Sequence, residues 1–235
     1  MKTLRSLYYW IIGLMYFSLV CLLLIFMILF FPVRIVDPWL KKRFKFLFQL
    51  MNCPVEVTGE EHIHPDKTCL FMSNHHSFFD VPFLQAYVPV LIRGVEAKQH
   101  FRWPVYGWII GRLGNIPIDR KNIHRSIQSI RRAQGNLESG LSMIIMPEGH
   151  RTLDGKLRPF KKLPFFLAKQ SGAPIIPVGI SGLYTLMPKG GFQVHPITLK
   201  IHFGEPISVD IIKNKDLDDL MKITRDRIKS LIEYP

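Results

Sequence analysis

The run Asn74-His75-His76-Ser77-Phe78-Phe79-Asp80 places an imidazole, His75, five residues before a carboxylate, Asp80, directly after the apolar stretch Cys69–Ser73. An aspartate that accepts a hydrogen bond from one ring nitrogen of His75 leaves the other nitrogen as a proton acceptor, and such a pair can deprotonate an alcohol. The spacing also admits a plainer reading, a turn in which Ser77 or Asp80 caps the next helix and His75 faces water. A second polar run, Pro147-Glu148-Gly149-His150-Arg151, follows the apolar stretch Met143–Met146. If the two stretches run parallel, both loops open on one edge of a sheet, where open α/β sheets bind their ligands. Gly179-Ile180-Ser181-Gly182 is one residue short of a Gly-x-Ser-x-Gly elbow, which disfavours a covalent serine mechanism. His-Glu-x-x-His is absent and His62-x-His64 lies in a polar stretch, so no metal site is expected.

Four blocks in chain order then carry a resemblance, covering about residues 70–180. The segment 74–80 resembles the His-x4-Asp first block of the membrane glycerolipid acyltransferases, in their 1-acylglycerol-3-phosphate branch. Gly114-Asn115-Ile116-Pro117-Ile118-Asp119-Arg120 resembles the second block. Gly149 with Pro147, Glu148 and Arg151 resembles the third, and Ala173-Pro174-Ile175-Ile176-Pro177-Val178 the proline-bracketed fourth. His150 stands where the third block usually has Thr or Ser, and Pro117 replaces a common aromatic.

The resemblance implies transfer of a fatty acyl group from an acyl thioester to the sn-2 hydroxyl of lysophosphatidic acid, giving phosphatidic acid. Other acceptors (a lyso-aminolipid, another lysophospholipid, glycerol 3-phosphate) and a non-catalytic lipid-binding module are the alternatives. His75 would be the base and Asp80 its orienting partner. Arg151, Arg120 and Lys98 would supply cations for the acceptor phosphate, Gly149 would belong to the substrate-binding third block, and Glu148 would orient Arg151 or a substrate hydroxyl. No cofactor is implied, acyl-CoA or acyl carrier protein entering as co-substrate.

Positioning these residues falls to an α/β body of about residues 54–235 built on one mostly parallel or mixed sheet flanked by helices. Strands are expected at Val55–Thr58, Cys69–Ser73, Val90–Val95, Met143–Met146, Ile175–Ile180 and Leu199–Phe203, and helices at about 80–87, 104–112, 123–138, 161–171 and 216–232. The stripe Ile123, Ile127, Ile130 and Leu137 marks the inner face of the third helix. Ahead of this body, residues 1–53 read as membrane-anchoring helices. Residues 6–33 carry no charge, long enough for a helix to cross a bilayer. Arg34, Lys41, Lys42, Arg43 and Lys45 follow it, a bias that places the body on the cytoplasmic side. Over 38–51 the stripe Leu40, Phe44, Leu47, Phe48 and Met51 suits a helix lying in the membrane interface, or one packed on the body.

The balance of 31 Lys and Arg against 18 Asp and Glu, a net +13, fits anionic headgroups and an acidic donor. Without an accompanying recognition motif it gives no reason to expect nucleic acid. The three cysteines, Cys21, Cys53 and Cys69, form no C-x-x-C pair, so neither a disulfide framework nor a zinc cage is expected.

Overall fold

A computed structural model describes residues 2–119 and 121–234. Two long helices, α1 (Lys2–Phe30) and α2 (Val33–Leu50), precede β1 (Val55–Thr58), β2 (Leu70–Ser73), α3 (Asp80–Tyr87), β3 (Ile92–Ala97), α4 (Tyr106–Arg112), β4 (Ile116–Ile118) and α5 (Ile123–Glu138). The chain continues through β5 (Ser142–Ile145), α6 (Leu163–Ser171), β6 (Ile175–Ser181), α7 (Leu183–Leu186), β7 (Leu199–Phe203), α8 (Val209–Asn214) and α9 (Leu217–Ser230). The strands form one sheet in the order β1-β7-β6-β2-β5-β3-β4. From β6 to β4 all neighbours are parallel, whereas β7 runs antiparallel to β6, so the sheet is mixed.

The central strands are buried on both faces and read as continuous apolar runs, as covered parallel strands do. Side-chain alternation divides β2 between two cores. Phe71 packs with Phe48, Phe83 and Ile176 on one face. Leu70 and Met72 join Met143, Phe165 and Ile228 on the other. On α5 the inner face is Ile130, Ala133 and Leu137, while Ile127 of the expected stripe is 40% exposed and the side chain of Ile123 lies outside the described residues. The sequence expectation missed β4, whose three residues include Pro117. An edge strand tolerates a residue with no N–H to donate. It also missed α8, a helix of six residues, and set β3 two residues early.

The N-terminal helices depart from expectation in a more consequential way. Helix α2 begins at Val33, and Pro38 lies in its second turn rather than at its start. Of the two readings of the 38–51 stripe, packing on the body holds over the favoured contact with lipid: Leu40, Leu47, Phe48 and Met51 are buried in protein. Phe48 meets Phe83 of α3 edge to face with ring centroids 5.2 Å apart. Lys41 is likewise withdrawn from any headgroup. Its ammonium lies 2.9 Å from the buried Asp37 and donates to the Val90 carbonyl.

Helix α1 is docked along its length. Near its start the buried Ser6 hydroxyl accepts from the Val194 N–H, and Trp10 Nε1 donates to the Phe192 carbonyl. Further on, Val20 and Leu24 pack with Val36, Leu40 and Ile109. Its outer face, with Leu4, Met15, Leu22, Phe26 and Phe30, is exposed and apolar. By length and composition, Thr3–Phe30 is sufficient to cross a membrane.

Candidate active site

Because β2 and β5 pair in parallel, with Phe71 opposite Ile144, the two polar loops leave the sheet on the same edge. Asp80 is the first residue of α3, where the helix dipole favours a carboxylate. It caps nothing: its fully buried carboxylate points back into the loop. Oδ2 lies 2.6 Å from His75 Nδ1 and accepts the His76 backbone N–H at 2.7 Å, while Ser77 N–H donates at 3.0 Å to Oδ1. The N-cap reading is therefore set aside in favour of the pair.

Two adjacent histidines pose a choice that the geometry resolves. His75 gives its ring to Asp80 and remains partly exposed, whereas His76 gives Asp80 only its backbone N–H. Burial pushes the His76 imidazole pKa down, against the upward pull of Asp80, so this ring is held neutral. With Nδ1–H of His75 assigned to the carboxylate, Nε2 is the nitrogen left to accept a proton.

The loop is fixed from three sides. Asn74 bridges to β6, its amide donating to the Ile180 carbonyl at 2.9 Å and accepting the Ile180 N–H at 2.8 Å. Ser77 Oγ donates to the Met187 carbonyl at 2.8 Å. Glu148, fully buried, accepts the His75 N–H at 2.7 Å on Oε1 and the Arg158 N–H at 2.6 Å on Oε2. Its oxygens thus hold backbone, a different arrangement from the expected contact with Arg151 or a substrate hydroxyl. Sequence reasoning assigned no role to Asn74 or Arg158. The signal for Asn74 was an amide directly after the buried strand β2, where its side chain reaches the neighbouring strand; Arg158 acts through its backbone, which its residue type does not reveal.

Burial raises the Glu148 carboxyl to about 7, the charge of Asp80 adding to it and the two N–H donors with Arg225 opposing. Between about 4.5 and 7 the unfolded chain has released a proton that the folded chain retains, so this group lowers stability as pH rises through that window. Glu148→Gln preserves size without titrating. The stability of the native protein minus that of the variant should fall by roughly 3 kcal/mol from pH 4 to pH 8. Denaturation of both proteins in detergent across that range checks it; a constant difference contradicts the burial argument.

Gly149 has φ +72° in a turn closed by its N–H on the Met146 carbonyl, a conformation that glycine adopts without strain. Three residues on, Thr152 N–H donates to the His75 carbonyl at 2.9 Å, which brings the half-buried Arg151 beside the His75 loop. Lys98 is placed elsewhere. It starts the short 3-10 turn after β3, its ammonium 3.7 Å from Asp119 at the exit of β4. That is two strands from β2, roughly 10 Å along the edge. Arg120 lies outside the described residues.

A cleft of about 110 Å³ runs from His75 between α3 and the ends of β3 and β5, lined by Val81, Ile92, Ile144 and Met146. Its far wall carries Glu96, a buried carboxylate that accepts from Asn115 Nδ2 at 2.8 Å and from the Tyr106 hydroxyl at 3.1 Å. A base at one end of a cleft, held by a buried carboxylate, is an arrangement that can take a proton from a hydroxyl. Among the described residues no cluster of three or more His, Cys, Asp or Glu is placed to hold a metal ion.

The family model for acyltransferases matches residues 54–181, more than half of the chain, and the chain belongs to that family. It is 35% identical over 178 residues to a 1-acyl-sn-glycerol-3-phosphate acyltransferase of Limnanthes alba, covering 75% of this chain and 63% of that protein. It is 31% identical over 152 residues to the Pseudomonas aeruginosa protein of the same name, covering 63% of this chain and 57% of that one. The chain thus spans less than two thirds of these relatives' lengths. The crystal structure of the 1-acyl-sn-glycerophosphate (LPA) acyltransferase PlsC from Thermotoga maritima superposes with a TM-score of 0.84 at 26% identity, covering 97% of this chain and 93% of that one.

Proposed function

We propose that this chain moves a fatty acyl group from an acyl thioester to the sn-2 hydroxyl of lysophosphatidic acid at a membrane surface, giving phosphatidic acid. The carrying observation is the 2.6 Å bond between His75 and the buried Asp80 on the sheet edge beside Arg151. The names and similarity of the relatives support the acceptor. His75 Nε2 takes the proton of the acceptor hydroxyl as its oxygen bonds to the thioester carbonyl carbon. Asp80 keeps the ring in the productive tautomer and stabilises the imidazolium. When the tetrahedral species collapses, the carbon–sulfur bond breaks and the proton passes from the imidazolium to the leaving thiolate. The enzyme carries no acyl group at any stage.

Glu148 positions His75 through its backbone, and Arg151 holds the acceptor phosphate. Lys98, two strands along the same edge, and Arg120 are kept as secondary cations for that phosphate. The donor is acyl-CoA or acyl carrier protein, each acidic and suited to a chain of net charge +13. Helix α1 is docked on the body from Ser6 to Leu24, a rise of roughly 27 Å. A helix held side-on over that length cannot also carry its far end through a bilayer whose core is about 30 Å thick while the body stays in water. Its exposed apolar face therefore lies in one leaflet, with the body on the cytoplasmic side.

The test is full-length protein in detergent with a labelled acyl thioester and a panel of lysophosphatidate, other lysophospholipids, a lyso-aminolipid and glycerol 3-phosphate, products resolved by mass. Phosphatidic acid should dominate. Preferential labelling of another acceptor, or no transfer, overturns the reading.

A further inference from the structure

The reaction requires a hydrophobic donor chain and a hydrophobic acceptor tail near one histidine at one moment, and the structure has two apolar cavities flanking the His75 loop. The first is the cleft that ends on Glu96. The second, about 370 Å³, lies between α1, the end of α2, Phe78 and Phe79 of the loop, and the segment 187–194. Its lining is apolar except at Arg151, the one charged residue among the described residues that face it. An acceptor phosphate, on the glycerol carbon next to the attacked hydroxyl, is drawn to the cavity with the guanidinium and repelled from the cavity with the buried carboxylate; the negative charges of an acidic thioester donor stand a long carrier arm away from the reacting carbon and do not sort its acyl chain. We infer that the second cavity is the subsite for the acyl tail of the lysophospholipid acceptor, with the phosphate at Arg151 and the donor chain left to the Glu96 cleft. This assignment rests on the acyl transfer proposed above.

Two further features suit that occupant. The lining residues Leu14 and Phe78 are about half exposed and continue the apolar outer face of α1, so a tail reaches the cavity from the lipid without crossing water. The roof is held in place: the Phe192 ring stacks on Trp10 with centroids 6.0 Å apart, and its carbonyl takes the Trp10 Nε1–H at 2.8 Å.

Gly13 gives a direct test. It lines the cavity, and a Cβ added there meets no atom within 4 Å, so a side chain at this helical position grows into open space. In full-length Gly13→Phe, KM for oleoyl lysophosphatidate should rise about tenfold while KM for the hexanoyl homologue moves less than about twofold. The dependence on donor chain length should be unchanged. Leu14→Trp, at an already exposed wall position, serves if the first variant fails to fold. Equal effects on both acceptors, no effect, or a changed donor preference overturns the subsite.

Equilibrium binding of the same two lysophosphatidates gives a readout independent of turnover. A native protein that binds the oleoyl form more tightly, and loses that preference in Gly13→Phe, supports the cavity even if the acceptor panel refutes the proposed reaction. A native protein without chain-length preference in binding overturns the subsite even if the reaction is upheld.

Discussion

Replacing His75 with alanine should lower acyl transfer by about 10²–10⁴-fold, the contribution of a positioned general base, while the protein still sediments with membranes. The ring is partly exposed and its Nδ1 serves Asp80, so truncation removes the proton acceptor and leaves the apolar core untouched. Its backbone N–H, which Glu148 holds, survives the substitution. Asp80→Asn should be crippled less completely. An amide oxygen can still accept from His75 Nδ1, but the negative charge that stabilises the imidazolium is gone, and the amide NH₂ then faces the Ser77 N–H donor at the Oδ1 position. Initial rates at saturating donor and acceptor, with circular dichroism to verify folding, measure both. Activity of His75→Ala within tenfold of the native protein would sink the general-base mechanism.

Arg151→Ala should raise KM for lysophosphatidate by about tenfold to a hundredfold, the loss associated with a hydrogen bond to a charged group, and leave KM for the acyl thioester unchanged. Arg151→Lys should recover only part, since an ammonium cannot reproduce the planar two-point grip on a phosphate. Complete saturation curves in each substrate decide the matter. A variant that saturates normally with lysophosphatidate but poorly with thioester assigns Arg151 to the donor and dismantles the charge argument for the second cavity. The effect of His150 is separable: His150→Thr restores the residue type common in the third block and tests whether the departure tunes acceptor choice.

The parts legible in the sequence are those where one residue type has one physical use. Continuous apolar runs gave β2, β5 and β6, because a strand covered on both faces has no polar side to interrupt it. The loops at 74–80 and 147–151 announced a site because polar residues followed such runs, and the parallel pairing that the sequence left conditional proved to be present. Harder to read was what shields an apolar stripe. Leu40, Leu47, Phe48 and Met51 have the same spacing whether lipid or α3 covers them, and burial by protein became visible only with the fold. The same limit applies to Glu148: a carboxylate's type says that it accepts hydrogen bonds, not that two backbone N–H groups from loops ten and seventy-three residues away will occupy both oxygens.

Those separations set the order in which the molecule becomes an enzyme. His75 is tied to Glu148 across 73 residues, Asn74 to Ile180 across 106 and Ser77 to Met187 across 110, while only the bond to Asp80 is local. Closing such loops costs entropy before any of these bonds forms, and the segments they join follow or belong to β2, β5 and β6, strands paired in parallel across long connections, the slow kind to assemble. A chain that has emerged only as far as β5 has its histidine and aspartate side by side in sequence, yet nothing holds the histidine's backbone from the far side. The reactive geometry thus arises last, as a property of the completed sheet, and a nascent or partly unfolded copy sitting among lipids has the residues of the site without its power to move acyl groups.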